Sequence, residues 1–132
     1  MSDEELNQLT EKIIACAFTV SNVLGVGFLE KVYENALVHE LRKNGVLAEA
    51  QRSIIVLYDG VVVGEYFADI LVNDTVIIEL KATKNLDEVF TAQCLNYLRA
   101  TGKPICLLLN FGQPRVEIKR FRGRNLATDE HG

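Results

Sequence analysis

A chain of 132 residues, 48% of them apolar, suffices for one domain with a packed core and is short for two. No apolar run reaches the length of a membrane span, and the first segment is charged rather than signal-like, so a soluble, cytoplasmic protein without a membrane partner is expected. The net charge of -4 argues against strong nonspecific attachment to nucleic acid.

Ser2 and Glu5 form a capping box, after which Leu6, Leu9, Ile13, Ala17, Val20 and Leu24 recur at helical spacing. Gly25 and Gly27 interrupt this amphipathic helix, and no Lys-Ser/Thr follows them, so they punctuate rather than cradle phosphate. The pattern then predicts a second helix from about Phe28 to Asn44, stopped by Gly45. Within it Glu40 falls on the apolar stripe and needs a partner, for which Arg52 is the candidate. From Val46 the pattern becomes extended. Asp59-Gly60 is a hairpin signal, and a further reversal at Asn73-Asp74 makes a three-stranded antiparallel meander.

Asn85 or Asp87 can cap a third helix, which carries Val89, Cys94, Leu95 and Leu98 on its apolar side and ends at Gly102. Ile105 to Leu109 is continuously apolar, as in a strand buried on both faces, and the preceding helix makes it parallel to the third strand. Val116 to Phe121 reads as an edge strand. The domain spans residues 1–124, and residues 125–132 read as a disordered tail. Cys16, Cys94 and Cys106 lack metal-ligand spacing and read as reduced core residues. His39 and His131 have no evident nucleophile beside them. A basic strip from Arg99 to Arg124 contains one acid, Glu117; it is either a solvated edge or a phosphate track.

Two apolar runs, Tyr66 to Val72 and Val76 to Ala82, carry charges where a strand normally carries none: Asp69 in the first, Glu79 and Lys81 in the second. Alternation along a strand projects Glu79 and Lys81 to one face and Leu80 to the other. Two carboxylates and an ammonium meeting at a sheet edge suit a hard divalent cation and a phosphate; an ion pair on a half-buried sheet is the alternative. A plain two-residue turn at Asn73-Asp74 would put Asp69 opposite Ile78 and split the acids between faces. A common site therefore requires a three-residue loop or a bulge that sets Asp69 opposite Glu79.

The order of elements, with an acid on the second strand and Glu79-Leu80-Lys81 on the third, resembles the PD-(D/E)XK nuclease superfamily, although Ala68 stands where the name-giving Pro would be. Gly27-Phe28-Leu29-Glu30-Lys31-Val32-Tyr33, with Glu40-Leu41, the run Gln93 to Gly102 and Asn110-Phe111-Gly112, resembles the GxxExxY family of small prokaryotic proteins. These resemblances imply an α/β fold with a restriction-endonuclease-like αβββαβ core, its mixed sheet flanked by helices and extended by a C-terminal edge strand. They also imply an Mg²⁺- or Mn²⁺-dependent nuclease, with DNA preferred to RNA as partner. Asp69, Glu79 and the Leu80 carbonyl would hold the metal, with Glu30 as a further acid; Lys81 would orient or activate water. Glu30 can also be read as a carboxylate favoured at a helix start. Gln93 and Tyr97, one turn apart, resemble the Gln-x-x-x-Tyr pattern of RecB-like exonuclease domains and would contact the substrate, together with Tyr33 and Lys84. A catalytically silent binding module and a hydrolase of another phosphate ester are the rival readings. The oligomeric state stays open, a homodimer included.

Overall fold

The computed structural model describes residues 1–123. Arg124 and the tail expected over residues 125–132 lie outside the described residues. Eight elements follow one another: α1 (Asp3–Leu24), α2 (Glu30–Lys43), β1 (Ala48–Tyr58), β2 (Val61–Val72), β3 (Val76–Lys81), α3 (Glu88–Thr101), β4 (Ile105–Asn110) and β5 (Glu117–Arg122). The strands form one sheet in chain order, antiparallel except for β3 and β4, which run parallel across the α3 crossover. This is the expected αβββαβ core with an added edge strand. No helix among the described residues is long and apolar enough to cross a membrane.

The sheet is sandwiched. On one face α1 and α2 lay Leu6, Ile13, Val20, Leu37 and Leu41 against Ile70, Val72, Ile78, Leu80 and Leu107. On the other, α3 lays Cys94, Tyr97 and Leu98 against Leu71, Ile77, Cys106 and Leu108. β3 and β4 supply alternate residues to both clusters, which is why neither shows polar alternation. All three cysteines are free and buried.

The capping box at Ser2 forms as read, the Ser2 side chain accepting from the Glu5 amide and the Glu5 carboxylate from the Ser2 amide. The second helix starts two residues later than expected. Gly25 and Gly27 take positive φ (68° and 108°), and the loop they make is held by Tyr33, whose hydroxyl donates to the Gly25 carbonyl at 2.6 Å and accepts from the Phe28 amide at 3.3 Å. Glu40 also departs from expectation. It is met by Lys43 at 3.4 Å and by the Asn44 side chain at 3.2 Å, whereas Arg52 pairs with Glu49 at 2.6 Å. Helical proximity supplied the partner, because Lys43 and Asn44 are one turn away and Arg52 sits on a strand.

Asn110 ties the end of β4 to the loop after β3. It is fully buried, accepts from the amides of Thr83 and Gly112 at 3.0 Å each, and donates to the Thr83 carbonyl at 2.9 Å and Glu117 at 3.2 Å. Glycine is required beside it, since a Cβ on Gly112 would lie 2.0 Å from the Thr83 carbonyl oxygen. Asn110→Ala would strand two half-buried amides and a carbonyl. We expect a loss of about 2–4 kcal/mol in thermal or denaturant unfolding; a change below about 1 kcal/mol would show that the loop is held by other means.

Candidate functional site

Register decides whether the charged residues of β2 and β3 can cooperate. Three residues, Asn73, Asp74 and Thr75, separate the paired positions Val72 and Val76. Asn73 and Asp74 both take the left-handed conformation (φ 50° and 53°), so the turn is tight and Thr75 is the extra residue. Pairing runs through Ile70 opposite Ile78, which makes Asp69 and Glu79 the next opposed positions. This is the register that a common site requires.

Beyond Ile70 the two strands part, and the Asp69 side chain fills the place of the missing ladder: its Oδ2 accepts from the Leu80 amide at 2.7 Å. The Lys81 carbonyl accepts from the Phe111 amide at 2.8 Å on the opposite, β4 side. Backbone groups alternate sides along a strand, so the Leu80 carbonyl faces the same gap as Asp69. Glu79, two residues after Ile77, faces α3, as does Lys81, whose Nζ stands 4.6 Å from the centroid of the Phe90 ring. The gap and the α3 face beside it thus bring together two carboxylates, the Leu80 carbonyl and one ammonium.

Electrostatics mark the site as unusual. Burial pushes the Glu79 carboxyl up to about 9, and the neighbouring negative charge of Asp69 pushes in the same direction. Glu79 is only 5% exposed, and its Oε1 is buried without a hydrogen-bond partner. Burial also raises Asp69, against which the Leu80 amide acts. Glu30 is raised by burial too, with Lys81 opposing that shift and Asp69 adding to it. A buried, partnerless carboxylate oxygen beside a second carboxylate is costly for protein alone and is the donor set a hard cation would satisfy.

The remaining expected residues divide. Glu30 begins α2 at the exposed rim, close enough to feel Asp69 and Lys81. It does not complete a tight cluster, for no three His, Cys, Asp or Glu side chains among the described residues converge as a metal-holding group. Tyr97 reaches the site from α3: its ring meets Tyr66 edge-on at 5.4 Å, and burial, with Glu79 and Asp69 nearby, raises its hydroxyl pKa. Gln93 lies one turn earlier, exposed, as does Lys84 in the loop after β3. Tyr33 does not reach the site as a substrate contact. It is fully buried, stacked on Phe111 at 4.9 Å, with its hydroxyl committed to the Gly25 loop. The aromatic ring and spacing that singled it out serve packing.

Two neighbours were missed. Glu34, 4% exposed, influences Asp69, and it is held by Lys31 at 2.5 Å and by the Gln51 amide at 2.8 Å. Its position one helical turn after Glu30 was the available signal. Gln51 stands opposite Asp69 in the β1–β2 register with φ of 55°, and it favours the ionised form of Asp69. Nothing in the sequence marks a Gln for that backbone conformation. Three residues of the basic strip are engaged away from the site: Arg120 and Arg122 bond Asn7 and Asp3 of α1, and Lys103 bonds Asp74.

A family model described as PD-(D/E)XK nuclease superfamily matches residues 7–121. The chain belongs to the PD-(D/E)XK nuclease superfamily. Solved structures share the fold at low identity. SSO0001 aligns with TM-score 0.55 and 17% identity over 75% of this chain and 53% of its own, so the chain spans about half its length. The alkaline exonuclease LHK-Exo of Laribacter hongkongensis aligns with TM-score 0.50 and 14% identity over 91% of this chain and 86% of its own. Its complex with dAMP gives 0.51 and 14% over 92% and 86%. No curated protein matches. In this PD-(D/E)XK chain the divergence of β2 from β3 is what turns Asp69 and the Leu80 carbonyl towards one point.

Proposed function

We propose that this PD-(D/E)XK protein is a nuclease that hydrolyses phosphodiester bonds, in DNA rather than RNA, with Mg²⁺ or Mn²⁺ held by Asp69, Glu79 and the Leu80 carbonyl. The observation that carries the reading is the buried, unpartnered Oε1 of Glu79 beside Asp69. A divalent cation there would lower the pKa of water and neutralise charge on the phosphate. Lys81, held against Phe90 on the same side as Glu79, orients the attacking water or the scissile phosphate. Glu30 at the rim contributes a third carboxylate from outside the tight pair. Gln93 and Tyr97 steer the backbone, and Lys84 is placed to meet phosphate. The glycine loop, Glu30 and Tyr33 fit the GxxExxY group, and three free cysteines fit a reducing compartment such as the cytoplasm. The dAMP complex of LHK-Exo supports a nucleotide ligand for this fold.

The test is a panel of single-stranded, double-stranded and branched DNA, RNA and nucleotides, each with chelator, Mg²⁺ or Mn²⁺. Cleavage of DNA only with metal is the expected result. Hydrolysis confined to nucleotides would move the assignment to another phosphate ester, and binding without cleavage would leave a silent module. On the same substrates Gln93→Ala and Tyr97→Phe should each slow cleavage about tenfold while metal binding persists. Because Tyr97→Phe keeps the ring against Tyr66, equal rates for it and wild type would assign Tyr97 to packing alone.

A further inference from the structure

The side-chain alternation of β1 and β2 reverses where Gln51 stands opposite Asp69. Ala48 belongs to the core layer shared with α1 and α2, whereas Ile54, six residues on, belongs to the layer under α3; Ile70 and Ala68, two residues apart, divide in the same way. On regular strands each pair would share a face. Gln51 makes the change with φ of 55°, a left-handed conformation that strains a Gln and costs a Gly nothing. Packing does not offset that strain, since Gln51 is exposed. Hydrogen bonds are what its side chain makes. Nε2 donates to Oε1 of Glu34 at 2.8 Å, and the same side chain bonds Asp69. Glu34 is a fixed anchor for it, 4% exposed on α2, with its Oε2 accepting from Lys31 at 2.5 Å.

We propose that Gln51 is a positioning residue for Asp69 as a metal ligand, and that Glu34 holds Gln51 in place. The inference rests on the cation proposed above at Asp69 and Glu79. A primary amide suits this place for a chemical reason. An ionised carboxylate only accepts, so one nitrogen with two N–H groups can serve Glu34 on one side and Asp69 on the other without adding a charge. An acid at position 51 would add a further negative charge, and a Lys would compete with the cation. Asp69 is thereby held from both neighbouring strands, by the Leu80 amide of β3 on its Oδ2 and by Gln51 of β1. A carboxylate oriented before the cation arrives loses less freedom on binding it, and losing such an outer partner typically weakens metal affinity by about tenfold to a hundredfold. Gln51 and Glu34 act through Asp69 and touch no reacting atom.

Calorimetric titration of the chelator-treated protein with Mn²⁺ alone, without substrate, tests it, beside melting curves in chelator. Gln51→Gly and Gln51→Asn both accept the left-handed conformation, but Gly has no side chain and Asn is one methylene too short to span the two carboxylates. Each is expected to melt close to wild type without metal and to raise the Mn²⁺ dissociation constant about tenfold or more. Should Gln51→Gly fail to fold, Gln51→Asn carries the same comparison. Glu34→Ala, which frees the Gln51 side chain, should weaken Mn²⁺ binding as well, and Glu34→Gln, which keeps an oxygen for Gln51 to donate to, should recover most of the loss. If Gln51 only shapes the strand, its two variants bind Mn²⁺ as wild type does; equal dissociation constants overturn the inference and leave the metal site standing. Equal losses in Glu34→Ala and Glu34→Gln overturn the anchoring role of Glu34. A wild type that takes up no Mn²⁺ overturns the metal reading, and this inference with it.

Discussion

Glu79→Gln is expected to abolish cleavage while making the metal-free protein more stable at alkaline pH. Removing one of two carboxylates that face the cation should cost on the order of 4 kcal/mol of transition-state stabilisation, about a thousandfold in rate. The stability effect runs the other way. The Glu79 carboxyl is raised from 4.5 to about 9 in the folded chain because burial penalises its charge. Between those values the folded state holds a proton that the unfolded state releases, so the contribution of Glu79 to stability is complete below pH 4.5 and is lost as pH rises through about 9. Gln cannot ionise and should lack that decline. Melting curves in chelator from pH 5 to pH 9 should show wild type losing ground to Glu79→Gln, and Mn²⁺ should restore wild type only. Parallel pH profiles for the two proteins would mean that Glu79 is not buried as a protonated acid. An equal response to Mn²⁺ would remove it from the metal site.

Lys81 separates chemistry from metal binding. Its ammonium lies on the same strand face as Glu79 and packs over Phe90, so a shorter apolar residue removes the charge without opening the core. Lys81→Ala should slow cleavage by about two to three powers of ten, the range of a positioned group that handles a proton or orients water. Mn²⁺-induced stabilisation should survive, because Asp69, Glu79 and the Leu80 carbonyl are untouched. Arg at this position keeps the charge but not the compact donor, and it should recover little. Cleavage by Lys81→Ala within a few-fold of wild type would limit Lys81 to balancing the two acids.

Periodicity made most of the fold legible. The helical spacing from Leu6 to Val20, the Asp59-Gly60 turn and the doubly buried run Ile105 to Leu109 each follow from a local rule, and local rules survive folding when burial agrees with them. The parallel placement of β4 beside β3 needed one further step, the α3 crossover between them. Asp69, Glu79 and Lys81 stood out for a related reason: charges are costly on such strands and draw the eye.

What remained hidden depended on chain segments far apart in sequence. Tyr33 looked like part of a functional motif, but its role as a buried pin became visible only when Gly25 and Phe111 closed around it. Gln51 and Glu34 gained their place beside Asp69 from the left-handed turn of β1 and its approach to α2. The sequence by itself determined the order and type of the elements and which acids and lysine had to be accounted for, because those depend on spacing along one segment. Tertiary structure alone decided that the strands part at Asp69, that the Leu80 carbonyl faces the gap and that one Glu79 oxygen is left unpartnered. Each of these is set by which backbone groups the neighbouring strand leaves unpaired, and only the assembled sheet specifies that.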